Sequence, residues 1–160
     1  MAVIDWKGAK WEAAHNSLSI PDLLTILKGF GSMELLRFHK PGCSKGEVSL
    51  CLTDDGSKEI TLYHLEVYGP KRQGRGRETL RWLKQIFKGA IFLEFPDQPS
   101  EGCAFDPSMP FWLRMYREGL IDALDCETFY LSPLSSEAEV QSIEQEVRSA
   151  MDSKPAAKTR

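Results

Sequence analysis

The sequence predicts an α/β (α+β) fold, a mixed and mostly antiparallel central sheet flanked by helices. Three observations predict it. "EVSLCLT" (47–53) alternates with period two: Val48, Leu50 and Leu52 fall on one face, Glu47, Ser49 and Cys51 on the other. The strand-like runs at 33–39, 47–53 and 59–68 are joined by short turn-forming stretches, so they pair as an antiparallel meander. Residues 59–95 then read strand, helix, strand, a unit that pairs parallel through a right-handed crossover.

Taken in order, 9–17 reads as a helix and 20–29 as another. In the second, Ser19 caps, Pro21 suits the first turn, and Leu23, Leu24, Ile26 and Leu27 form an apolar stripe that Gly29 and Gly31 stop. After the strand at 33–39, "PGCSKG" (41–46) is turn chemistry and "DDGSK" (54–58) a hairpin loop. The helix after 68 runs to about Lys88 and turns Leu80, Leu83, Ile86 and Phe87 inward. "AIFLEF" (90–95) is a strand, and 96–108 a loop rich in proline and polar residues. A helix over 108–119 is capped by Ser108 and closed by Gly119. Two closing strands are expected at 120–124 and 127–133, then a surface helix over 135–151 capped by Ser135 or Ser136. Residues 1–151 make one domain on this reading, and 152–160 a disordered tail.

The chain has 160 residues, 42% hydrophobic and 27% charged, the balance of an ordinary globular protein with a real core. A net charge of −3 argues against a surface that binds nucleic acid throughout. Cys43, Cys51, Cys103 and Cys126 lie far apart with no C-x-x-C pair, which fits neither a zinc framework nor a dense disulfide scaffold. Reduced thiols and a cytoplasmic location are expected. No apolar run approaches the ~20 residues of a membrane span.

Positive charge concentrates in one place. In "GPKRQGRGRETLRWLKQIF" (69–87), Lys71, Arg72, Arg75 and Arg77 crowd around Gly69, Gly74 and Gly76 between a strand and a helix. A helix N-terminus carries unpaired N–H groups and partial positive charge, and phosphate oxygens satisfy both. Glycine lets a ligand approach the backbone. The turn therefore reads as a phosphate site; a solvated turn and a small RNA-contact patch are the alternatives. It is neither a Walker loop nor the G-x-G-x-x-G fingerprint, which fails at Thr79.

The stretch "HLEVYGPKRQGRGRETLRWL" resembles motif A of the GNAT superfamily of N-acetyltransferases, and its "RQGRG" core is similar to that of the arylalkylamine N-acetyltransferase branch. Lys71 takes the place of the usual Gln or Arg in Q/R-x-x-G-x-G/A; a register starting at Gln73 would keep fewer glycines. "SMPFWLRMYREGLI" resembles motif B at its ends, with longer spacing. Together the likeness covers roughly residues 20–132.

The resemblance implies direct acetyl transfer from acetyl-CoA, as acyl donor, to an amine of a small molecule or peptide, within a ternary complex and without a metal. Lys71, Arg72, Gln73, Gly74, Arg75, Gly76 and Arg77 would hold the CoA pyrophosphate. The central strand from Leu65 to Val67 would pair with pantetheine like an added strand. Tyr116, one step from the motif B tyrosine position, would protonate the leaving thiolate. Glu66 is the carboxylate near the end of the central strand and could serve as base, directly or through water. Histidines that the family sometimes carries on this strand would fall at Thr61 and Tyr63, which are not ordinary bases. His64 points away from Tyr63 if the strand is regular. The expected partners are CoA and an amine acceptor, with no membrane; nucleic acid is disfavoured and a homodimer is left open. A GNAT-like binding module without catalysis, or an RNA-binding protein, are the competing readings.

Overall fold

The computed structural model describes residues 2–15, 17–29, 34–70, 73–94 and 107–152. The chain forms two units, Met1–Glu94 and Phe95–Arg160. The fold is mixed α/β, with a mostly antiparallel sheet flanked by helices, as the strand pattern predicts.

The first unit opens differently from expectation. Residues 9–17 are not a helix: β1 (Ile4–Trp6) and β2 (Ala9–Ala13) form an antiparallel hairpin. Lys7 and Gly8 turn it, both with positive φ (52° and 88°), the conformation of a two-residue hairpin turn. The reason is where Trp11 goes. A strand puts Ala9, Trp11 and Ala13 on one face, and all three are buried. A helix would set Trp11 across from the two alanines. Trp11 packs against Trp6, Phe38, Trp82 and Phe87 with ring centroids 5.6–6.1 Å apart. Burying such a ring contributes ~2–3 kcal/mol, whereas the helix preference of Ala, Lys and Glu is worth only tenths per residue.

Helix α1 (Ile20–Gly29) follows, its Asp22 N–H donating to Ser19 Oγ at 3.2 Å, and buries Leu23, Ile26 and Leu27. Then β3 (Leu35–Lys40), β4 (Ser44–Leu52) and β5 (Lys58–Val67) form the antiparallel meander. β4 starts at Ser44, so the turn is confined to Pro41–Cys43. Helix α2 (Arg75–Phe87) crosses back and packs on β5 and β4. Of its expected inward residues, Leu80, Leu83 and Phe87 are buried and Ile86 is half-buried. β6 (Ala90–Glu94) pairs parallel with β5, as the crossover rule requires, from Glu59↔Ala90 to Leu62↔Leu93.

One irregularity decides how β5 presents its side chains. Leu62 pairs with Val48 and His64 with Glu47, so Tyr63 is an extra residue, a β-bulge. The bulge reverses the alternation of the strand. Ile60 and Leu62 share a face with Leu65 and Val67, all opposite even-numbered β4 residues. Thr61, His64 and Glu66 lie on the other face, opposite Ser49, Glu47 and Lys45. The strand is therefore not regular, and His64 lies on the same face as Tyr63, whose hydroxyl reaches Ser49. A bulge also bends its strand, and β5 runs on to Val67, past Leu62, the last residue paired with β6 among the described residues.

In the second unit, α3 (Met109–Arg117), the β7 (Ala123–Asp125) and β8 (Tyr130–Leu131) hairpin, and α4 (Glu137–Asp152) match the predicted order with shorter strands. Gly119 (φ 76°) closes α3, and Ser136 Oγ caps α4 by accepting the Glu139 N–H. Arg117 ties the helices together, reaching Glu144 at 2.7 Å and Glu137 at 2.6 Å. Its hydrogen bonds hold both carboxyls below the ordinary glutamate range. Most of the 96–108 loop, and the tail after Asp152, lie outside the described residues.

Candidate functional site

The site is assembled where β5 hands over to α2. Tyr68 ends the strand by donating its N–H to Cys43 C=O at 2.9 Å. In an antiparallel pair, backbone groups alternate between the two edges of a strand. If Tyr68 faces β4, so does Glu66, while the N–H and C=O groups of Leu65 and Val67 face the other edge. Among the described residues, the last pair with β6 on that edge is Leu62↔Leu93. In the predicted strand-pairing segment, Leu65 and Val67 thus point their backbone groups away from β4, and Glu66 points its toward it.

Gly69 (φ 77°) turns the chain, and its missing side chain makes room for Arg75, whose guanidinium would collide with a Cβ there. Arg75 Nη1 donates to Tyr68 C=O at 2.6 Å, so the first residue of α2 is strapped to the end of β5. Gly74 sits at the cap in the left-handed conformation (φ 75°, ψ 9°) and supplies no side chain. The first bond of the helix runs from Glu78 N–H to Gly74 C=O at 2.9 Å. The N–H groups of Arg75, Gly76 and Arg77 precede it, the position at which a helix meets an anion. Gln73 and Gly74 are exposed, Arg75 and Arg77 half-buried, Gly76 buried. Lys71 and Arg72 lie outside the described residues.

Beneath this turn is a polar cluster that sequence reasoning missed. Thr79 Oγ1 donates to Arg75 C=O at 2.8 Å and contacts Ser44 Oγ, and the Cys43 thiol lies 3.6 Å from Thr79 and 3.7 Å from Glu78. These contacts pin the first turn of α2 to the start of β4. Glu78 places a carboxylate in that turn, 3.6 Å from Lys40 Nζ. It complements the helix dipole and also opposes a second anion.

Glu66 lies on the open face of the sheet, half-exposed, 3.5 Å from Lys45 Nζ and 3.9 Å from His64 Nε2. Alongside, Arg37 bridges Glu12 at 3.5 Å and Glu47 at 3.2 Å. These side chains, with His39 and Tyr68, line a depression of about 560 Å³. Exposed pairs of this kind contribute ~0–1 kcal/mol each, so the face is a soluble polar surface rather than a stabilising network. Among the described residues no group of His, Cys, Asp or Glu is arranged to hold a metal ion. No described helix is long and apolar enough to cross a membrane.

Tyr116 belongs to the second unit. It donates its hydroxyl to Ser132 C=O at 2.6 Å, tying α3 to the segment after β8. The phenol proton is engaged in that bond, and the oxygen keeps acceptor capacity.

No protein-family model matches the chain, and comparison with curated proteins finds no match.

Proposed function

We propose that the protein is an N-acetyltransferase that moves the acetyl group of acetyl-CoA directly to an amine. The observation that carries this reading is that β5 runs five residues past its last described pair with β6, Leu62↔Leu93, into the glycine-capped start of α2. An extended pantetheine arm needs main-chain partners, and the outward backbone groups of Leu65 and Val67 offer them. The diphosphate would take the N–H groups of Arg75, Gly76 and Arg77, with Gly74 allowing close approach and the nearby cationic side chains adding charge. The two sites follow one another along the chain, in the order in which CoA presents pantetheine and diphosphate.

The amine would come from the open face. Glu66 would accept a proton from an acceptor ammonium, directly or through water. Transfer then depends mainly on proximity of a neutral amine to the thioester. Tyr116, with its proton given to Ser132, would need to change partner to protonate the thiolate. That bond, together with the Lys45–Glu66 pair, favours a second reading in which the fold binds CoA without catalysis.

Thermal melts and calorimetric titration with acetyl-CoA test the proposal. Acetyl-CoA at a hundred times its dissociation constant should add ~2.7 kcal/mol, raising the melting temperature by about 5–10 °C. Pantetheine, which lacks the diphosphate, should shift it less. No shift and no heat remove both readings; binding without acetyl release to any of a panel of amines selects the second.

A further inference from the structure

We propose that the depression on the open face of the sheet is a binding site for a dipeptide with free termini. The site is built on β2 to β5 of the first unit and does not rest on the acetyltransferase reading. Cross-strand pairing sets its charges in two rows. In one row Lys10 pairs with His39, and His39 with Lys45; in the other Glu12 pairs with Arg37, and Arg37 with Glu47. Directly opposed residues lie ~4.5–5.5 Å apart, so each row is a continuous line of side chains on one face. His39 is exposed, and its ring meets that of Tyr68 edge-on at 5.5 Å. Among the described residues its ring nitrogens have no hydrogen-bond partner. The two lysines are drawn outward, Lys10 to Asp5 at 3.4 Å and Lys45 to Glu66 at 3.5 Å, and both are about half exposed. Each is long enough to turn back over His39, so an anion seated there meets an ammonium on either side. In the second row two carboxylates share one guanidinium. Both Arg37 hydrogen bonds to Glu47 go to Oε2, which leaves Oε1 for a cation.

The occupant follows from the charge balance. Lys10, Arg37 and Lys45 cancel Glu12, Glu47 and Glu66, so the lining has no net charge with its histidines neutral. The charge is nevertheless segregated, into a cationic row and a row with an excess of carboxylate. A phosphate or a polyamine would leave one row facing its own sign, whereas a zwitterion satisfies both. Spacing then sets the ligand's length. Successive rows are two residues apart along a strand, ~6.4–6.8 Å. An extended chain spans ~3.3–3.6 Å per residue, so two residues set a carboxylate over the first row and an ammonium over the second. A single amino acid reaches half that distance. The 560 Å³ of the depression leaves room for two small side chains as well.

The probe is L-alanyl-L-alanine, followed by the backbone amide shifts of the nitrogen-15-labelled full chain without acetyl-CoA. Its controls are alanine, which is one residue short, N-acetyl-alanyl-alanine, which lacks the ammonium, and alanyl-alanine amide, which lacks the carboxylate. The dipeptide should shift amides of β2 to β5 around His39 and Glu47. It should bind at least about threefold tighter than each control, the factor expected of one half-exposed charge pair. Lys45→Met should weaken the dipeptide by a similar factor and leave the amide, which has no carboxylate to lose, unchanged. Glu47→Gln should weaken the dipeptide and leave the N-acetyl compound unchanged. If either variant folds poorly, the four ligands on the parent protein decide alone. A dipeptide that binds no tighter than its controls, or that shifts amides elsewhere, overturns the site, as do folded variants that weaken all four ligands alike.

Discussion

Gly46→Ala tests the packing that holds the bulge in place. Gly46 lies on the α2 face of β4, paired with Phe38 on β3 and Leu65 on β5. A Cβ at this position would sit 2.9 Å from two atoms of the Phe38 ring and closer still to the His64 carbonyl oxygen. Neither neighbour yields cheaply. Phe38 is 1% exposed and wedged between Trp11 and Trp82, with centroids 5.6 and 5.5 Å away. The carbonyl belongs to the backbone of the bulged strand. Overpacking of this kind costs ~1–3 kcal/mol, against a gain of ~0.4–1 kcal/mol from the stiffer unfolded chain. The net loss of about 1–2 kcal/mol should lower the melting temperature by roughly 2–8 °C. Gly29→Ala is the control: Gly29 ends α1 without a positive φ, and its Cβ would meet nothing within 4 Å. That variant should melt at or slightly above the parent. Thermal and urea unfolding of the two variants decide the matter. If Gly46→Ala melts as high as Gly29→Ala, the strand spacing at His64 is looser than argued and the bulge is not locked by Phe38.

Other perturbations reach the turn and the second unit. Gly74→Ala forces an L residue into the left-handed cap (φ 75°), so it should cost ~1–2 kcal/mol and weaken acetyl-CoA binding; an unchanged melt refutes the strain. Glu137 and Glu144 are held below their ordinary value of 4.5 by hydrogen bonds from Arg117, so the stability they contribute is present above that pH and is lost as pH falls through their folded values. Arg117→Met should therefore flatten the acid side of a plot of melting temperature against pH, and parallel curves would show that the pairing contributes nothing.

Much of the architecture was legible because it rests on periodicity. The meander at 33–68, the crossover to β6 and the caps at Ser19, Ser136 and Gly119 all follow from local patterns. The first hairpin was misread because the alanines and charged residues of 9–15 suit a helix, whereas the deciding energy comes from Trp11 meeting Trp82 and Phe87, more than seventy residues later in the chain. The glycine turn was read by its chemistry, but the strap from Arg75 to Tyr68 and the cluster of Cys43, Ser44 and Thr79 needed the fold to bring β4 under α2. Tyr63 was read only as a place where the family carries a histidine, and Ser49 only as a strand position; what joins them is the register of β4 against β5.

The bulge, by contrast, had left a trace in the sequence. Apolar residues fall at Ile60 and Leu62, then at Leu65 and Val67, so the interval between the inner pair is three where a regular strand requires two. The same sequence paired as a regular strand, with no bulge, would keep Ile60 and Leu62 inward and carry His64 and Glu66 in beneath α2. A buried, unpaired carboxylate costs several kcal/mol, more than any single apolar contact on that face returns. Bulging at Tyr63 removes this conflict: Leu65 and Val67 return to the apolar side, and His64 and Glu66 come out beside Tyr63. The same bulge bends β5 just after its last described pair with β6, Leu62↔Leu93. Bending β5 and presenting His64 and Glu66 on its polar face are thus one structural event, so re-pairing the same residues in regular register should disturb both together.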